Sequence, residues 1–170
     1  MLKNGARLVY AVDVGYGQLD WRLRNDDRVV CMERHNAREM APGWFPETPV
    51  FASCDVSFIS VKKILPRMYE CLAPEGEAVV LVKPQFEAGR NKVGKNGVVR
   101  EPSTHLEVLK GAAEFALACG FRVLALDYSP ITGPKGNIEF LMYLKKAEPE
   151  PFDTEAEAAR VVALSHEELS

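Results

Sequence analysis

Three ionisable residues, far apart in the chain, stand where apolar, strand-like runs begin or end. Asp55 follows Val50-Phe51-Ala52, Lys83 follows Ala78-Val79-Val80-Leu81-Val82, and Glu139 opens the run Ile138 to Leu144. An acid, an amine and a second acid meeting at one rim of a sheet can hold a hydroxyl and move its proton. That rim, outside the strand ends, is where open α/β sheets bind ligands. Each residue also has a plainer reading. Asp55, ahead of Val56-Ser57-Phe58-Ile59-Ser60, suits a helix N-cap. Phe58 is either a core aromatic or a stacking platform for a base. Lys83 can snorkel from the sheet rim, and strand alternation alone can turn Glu139 to solvent.

Two further groups carry potential chemistry. Asp13 precedes Val14-Gly15-Tyr16-Gly17, where glycine permits close backbone approach. An acid at such a strand end can bind ribose hydroxyls, and it can equally be a turn aspartate. The stretch 84–101 reads as a long polar loop carrying Arg90, Lys92, Lys95 and Arg100 among Gly89, Gly94 and Gly97. Cations on glycine hinges suit grip on a phosphate backbone; a solvated surface has the same composition. His35, His105 and His166 form no spacing of a metal site or a catalytic triad, and Ser57 and Ser60 lack a histidine partner.

The elements that must position these residues alternate between two periods. Strands are expected at 8–12, 29–32, 50–54, 78–83, 121–128 and 138–144. Helices are expected at 18–24, at 59–72 with Pro66 as a possible kink, and from Pro102 to about Cys119 with Gly120 as C-cap. Leu106, Leu109, Ala113 and Leu117 make the buried stripe of that third helix. After Glu148-Pro149-Glu150-Pro151, the segment Thr154-Glu155-Ala156-Glu157 fits a capping box. Ala158, Val161, Val162, Ser165 and Leu169 would line one side of the helix it starts. Strands separated by helices predict a mostly parallel α/β sheet. The short link between the last two strands predicts an antiparallel final pair.

Composition narrows the classes. With 170 residues, 47% of them hydrophobic, the chain can bury a substantial core. A net charge of −3 gives no global signal for nucleic acid, so any RNA contact needs a local basic patch. No apolar run approaches the roughly 20 residues that span a bilayer, which predicts no membrane partner. Cys31, Cys54, Cys71 and Cys119 lie in or beside apolar segments without a close pair. They read as reduced core cysteines of a cytoplasmic protein, with no metal site.

Four segments occur together and in order: Val12-Asp13-Val14-Gly15-Tyr16-Gly17-Gln18-Leu19, Asp55 to Ser60, Leu81-Val82-Lys83-Pro84-Gln85-Phe86-Glu87-Ala88-Gly89, and Ile131 to Leu141. So arranged, the chain resembles the TlyA (hemolysin A) family of FtsJ-like ribosomal RNA methyltransferases, up to about Lys146. The resemblance implies a Rossmann-like, S-adenosylmethionine-dependent methyltransferase fold, with a doubly wound, mostly parallel sheet and an antiparallel terminal strand pair. It implies S-adenosylmethionine as cofactor and 2′-O-methylation of ribosomal RNA, with cytidine the typical target. Asp55, Lys83 and Glu139 match the last three members of the family's lysine–aspartate–lysine–glutamate tetrad. Asp13 and Gly15, with Asn36 near the adenine and Asp55, match cofactor positions. Arg90, Lys92, Lys95 and Arg100 are the RNA-binding candidates, with ribosomal RNA or a ribosomal subunit as partner.

The family's small RNA-binding domain, first tetrad lysine and glycine-rich loop have no match here. The expectation is therefore a partial methyltransferase domain at 1–147, lacking the first strand, followed by a linker and C-terminal helix at 148–170. The missing strand belongs between 8–12 and 50–54. Without the glycine-rich loop the expectation is weak or absent S-adenosylmethionine binding, with inactivity of the chain as given and a homo-oligomer both left open. Alternatives are a non-catalytic or partner-dependent fragment and a methyltransferase acting on something other than RNA. A membrane-damaging role, suggested by the hemolysin label, finds no inserting segment.

Overall fold

The computed structural model describes residues 1–169. The described residues form six strands and five α-helices. They are β1 (Val9–Val12), α1 (Trp21–Arg24), β2 (Val29–Met32), β3 (Phe51–Cys54), α2 (Leu65–Cys71), β4 (Glu77–Val82), α3 (Pro84–Glu87), α4 (Pro102–Ala118), β5 (Arg122–Tyr128), β6 (Phe140–Lys145) and α5 (Thr154–Leu169). The strands form two sheets rather than one. β1 and β2 pair in parallel, and a separate four-stranded sheet has the order β3-β4-β6-β5. β1 and β3 are not hydrogen-bonded to each other.

In the larger sheet β3 and β4 run parallel, while β6 is antiparallel to both β4 and β5. The expected antiparallel final pair is present, and β6 lies inside the sheet instead of at its edge. That insertion matters for the site. β3 and β4 deliver their C-terminal ends to one rim, and β6 delivers its N-terminal end to the same rim.

Burial follows the pattern that the apolar runs dictate. β4 and β6 alternate buried and half-buried positions, with Ala78, Val80, Val82, Phe140, Met142 and Leu144 fully inaccessible. Each large apolar side chain so buried contributes roughly 1.5–3 kcal/mol. Leu65, Leu109, Ala112, Ala113 and Ala116 of α2 and α4, and Ala158 and Val161 of α5, complete the same core. Met32, Met40 and Phe45 bring the two-stranded sheet into it.

Three local readings are corrected. Pro66 sits in the first turn of α2, after a 3₁₀ turn at Val61–Lys63, so it starts that helix rather than kinking a longer one. The helix at 18–24 shrinks to Trp21–Arg24, capped by the Asp20 carboxylate. At α5 the cap is Asp153, whose Oδ1 accepts from Ala156 N–H at 3.0 Å, one residue before the expected Thr154.

Candidate active site

Asp55 and Lys83 meet. Lys83 Nζ lies 2.6 Å from Asp55 Oδ1 and donates to Ser57 Oγ at 3.3 Å. The parallel register Cys54↔Val80 brings the ends of β3 and β4 together, so the ion pair follows from strand pairing. The lysine side chain is only 12% exposed whereas that of Asp55 is 68% exposed. The amine is therefore held in the rim with its partner on the solvent side, which removes the free snorkelling reading. Asp55 is no helix cap either: Ser60 caps the Val61–Lys63 turn, its Oγ accepting from Lys62 N–H.

Glu139 arrives from the other direction. It precedes β6 rather than lying within it, and the pair Val82↔Phe140 places Lys83 and Glu139 at the next step along adjacent strands. Glu139 is 6% exposed, so the solvent reading fails. Its Oε1 accepts from Gln85 Nε2 at 2.8 Å, and its backbone carbonyl accepts from Ser129 N–H. The turn before it is tight: Gly133 N–H donates to the Asn137 carbonyl at 2.8 Å, and Lys135 has φ +61°. A Cβ at Gly133 would fall 2.3 Å from Glu139 Oε1, so only glycine leaves space for the carboxylate.

Neighbouring side chains complete the rim. Glu87 of α3 accepts from Ser60 Oγ and Val61 N–H, both at 2.7 Å, tying α3 to the segment after β3. Burial pushes the Glu87 carboxyl above its usual range, against those two hydrogen bonds. Cys54, just before Asp55, has its thiol pushed up to about 12, chiefly by burial; it stays protonated and inert. Phe58 is 90% exposed with φ +64°, and its ring lies 5.0 Å from that of Phe86. A bulky residue held in the left-handed region and in water is strained without any core to gain.

At the end of β1, Asp13 is exposed and its Oδ1 accepts from Gly15 N–H at 2.6 Å. A Cβ at Gly15 would stand 3.0 Å from Gln18 Cγ and 3.1 Å from Asp13 Oδ1, so a side chain there would crowd both neighbours by a few tenths of an ångström. Asp13, Gln18 and Glu33 wall a small cleft there. Glu33, unnoticed in the sequence, accepts from Gly17 N–H at 2.8 Å and pairs with Arg24 at 2.5 Å. The Arg24 guanidinium draws its carboxyl below the usual range. Asn36 caps the turn Ala37–Glu39, with Oδ1 accepting from Arg38 N–H.

The basic loop is less free than its composition suggests. Arg90, Lys92, Lys95 and Arg100 are all exposed, but Lys92 pairs with Glu107 of α4. Among the described residues no ion pair holds Arg90, Lys95 or Arg100. The loop is anchored behind them by buried Val98 and Val99. Asn137 Oδ1 accepts from Val99 N–H, and Asn137 Nδ2 donates to the Gly97 and Pro134 carbonyls. His105, dismissed on spacing, is fully buried behind this anchor. Its Nε2 lies 3.1 Å from the Val99 carbonyl and its Nδ1 2.8 Å from His166 Nε2. Donation to the carbonyl fixes His105 as the Nε2–H tautomer. Burial, then the neighbouring His166, pulls its pKa down to about 4.

The sequence matches a known family. Residues 1–146 match the model of the FtsJ-like methyltransferases. The chain belongs to the FtsJ-like methyltransferase family. Within it, YqxC of Bacillus subtilis (strain 168) is 54% identical over 144 residues, 84% of this chain and 51% of the relative. The 16S/23S rRNA (cytidine-2′-O)-methyltransferase TlyA of Mycobacterium tuberculosis is 41% identical over 145 residues, 85% of this chain and 54% of the relative. This FtsJ-like chain thus spans about half the length of the curated relatives it matches. A solved Streptococcus thermophilus structure bearing the hemolysin label superposes with a TM-score of 0.94 at 53% identity, covering 99% of this chain and 61% of that one. An S-adenosylmethionine-dependent methyltransferase of Mesorhizobium loti shares the fold at 12% identity, with a TM-score of 0.57 over 85% of this chain and 83% of its own. The fold is the Rossmann-like methyltransferase fold.

Proposed function

We propose that this rim transfers a methyl group to a ribose 2′-hydroxyl of ribosomal RNA, with cytidine as the target nucleoside. The observation that carries the reading is Lys83 Nζ held against Asp55 at 2.6 Å, beside the strand that begins after Glu139. In its neutral form Lys83 accepts the hydroxyl proton at Nζ. Asp55 and Ser57 aim it, and Glu139 balances the charge that develops. S-adenosylmethionine, the donor implied by the family, supplies an activated methyl group when bound. Asp13 would hold its ribose hydroxyls in the cradle that Gly15 leaves open, and Asn36 and Asp55 flank its path.

RNA as substrate is supported by the surface around the site. Phe58 offers a strained, exposed ring for a nucleobase to stack on. Arg90, Lys95 and Arg100 offer cations to the phosphate backbone, with Lys92 joining once released from Glu107. The cytoplasm is the matching compartment; no described helix is long and apolar enough to cross a membrane.

The test is methylation of ribosomal subunits by a form of the protein that also carries the first tetrad lysine and the glycine-rich loop, and by its Lys83→Ala variant, with 2′-O-methyl mapping by primer extension. Wild type should mark a cytidine, and Lys83→Ala should lose the mark while retaining cofactor affinity. An equally active Lys83→Ala variant, or transfer only to protein or small molecules, would overturn the reading.

A further inference from the structure

Gln85 is a polar side chain of the rim to which the proposed reaction gives no task. It belongs to α3, two residues after Lys83, and reaches Glu139 across 54 positions of sequence. Its Nε2 donates to Glu139 Oε1 at 2.8 Å, and among the described residues its buried Oε1 finds no hydrogen-bond partner. The amide cannot be turned over to relieve that acceptor, because Oε1 would then face a carboxylate oxygen. Leaving a buried acceptor unmatched is unfavourable. The bond to Glu139 therefore sets the orientation.

The link between Gln85 and Lys83 is stiff. Pro84 fixes the first turn of α3 and Lys83 is its N-cap residue. Phe86 N–H donates to the Lys83 carbonyl and Ala88 N–H to the Pro84 carbonyl, both at 2.9 Å. On the far side of the carboxylate, Gly133 stands so close that no Cβ would fit. Glu139 is thus gripped between an amide rigidly joined to Lys83 and a glycine floor.

We propose that Gln85 is a positioning residue of the methyl-transfer site, fixing the Glu139 carboxylate relative to Lys83. The inference rests on the function proposed above, and one arm of its test is independent of activity. In the ¹⁵N-labelled chain, the Gln85 side-chain amide, assigned through its loss in Gln85→Leu, should change its shifts in Glu139→Ala. Unchanged shifts would overturn the contact.

In the activity arm, the near-isosteric Gln85→Leu should lower kcat by about tenfold to a hundredfold. KM for ribosomal RNA and for S-adenosylmethionine should stay within about twofold. Gln85→Glu should move the acidic limb of the kcat profile to higher pH, because adjoining carboxylates retain a proton between them. A purely structural role would leave that limb in place, so an unmoved limb or an undiminished kcat in Gln85→Leu would overturn the proposal. If a form carrying the first tetrad lysine and the glycine-rich loop methylates no RNA, the RNA-methylation reading falls, and the amide shifts alone decide the grip on Glu139.

Discussion

Replacing Gly133 with alanine separates the site from the fold. The added Cβ would stand 2.3 Å from Glu139 Oε1 and 2.6 Å from Cδ, where ordinary contact is 3.4–4 Å. The carboxylate must retreat by about 1 Å, and misplacement of that size near reacting atoms costs roughly a hundredfold in rate. The fold should persist with a modest loss of stability. Gly133 has φ −73° and ψ −172°, a conformation alanine adopts without strain. The substitution restricts the unfolded chain and stabilises by about 0.4–1 kcal/mol. Loss of the Gln85 hydrogen bond to a charged acceptor costs about 1.5–3 kcal/mol. The balance is a destabilisation of about 1–2 kcal/mol, a fall in Tm of roughly 3–6 °C. Single-turnover methylation of ribosomal subunits beside calorimetry measures both quantities. Wild-type rate in Gly133→Ala would refute the argument that the carboxylate must occupy its observed place, and so would collapse of the fold.

Further outcomes concern the scaffold behind the basic loop. His105, with its pKa drawn from 6.5 down to about 4, takes up protons less readily folded than unfolded. Its contribution is full above pH 6.5 and is lost as pH falls toward 4, on the order of 2–3 kcal/mol. Urea midpoints at pH 7, 5.5 and 4 should fall more steeply in wild type than in His105→Gln; parallel slopes would remove His105 as the cause. Asn137→Ala strips the Val99 N–H of its acceptor and the Gly97 and Pro134 carbonyls of their donor. It should destabilise by about 2–3 kcal/mol in urea melts and raise hydrogen exchange at Val99; unchanged protection there would contradict the anchoring role.

The placement of residues at strand ends was legible in the sequence. Five apolar residues before Lys83 announced a buried strand, and the parallel pairing of β3 and β4 then required Asp55 to be its neighbour. Pro102 and Gly120 marked the bounds of α4 because each restricts or frees the backbone locally. What depended on distant pairing was hidden. The position of β6 between β4 and β5 is a long-range choice that no periodicity encodes. Gln85 and Glu139 meet across 54 residues, and His105 and His166 across 61, through single side-chain bonds that leave no pattern. His105 looked unremarkable because its burial comes from Val99, Phe140 and His166, none of them near it on its own helix face.

The antiparallel course of β6 has a consequence for how the chain tolerates change in length. Its leading end abuts Glu139 of the candidate site, and its trailing end, at Lys145 and Lys146, fastens the opposite side of the domain, where Lys146 Nζ donates to the Tyr69 and Leu72 carbonyls. A residue added between Ser129 and Asn137 would push directly on the acid beside Lys83. One added beyond Ala147 would be absorbed before reaching it. The two borders of a single strand therefore differ in how much drift in spacing they can forgive.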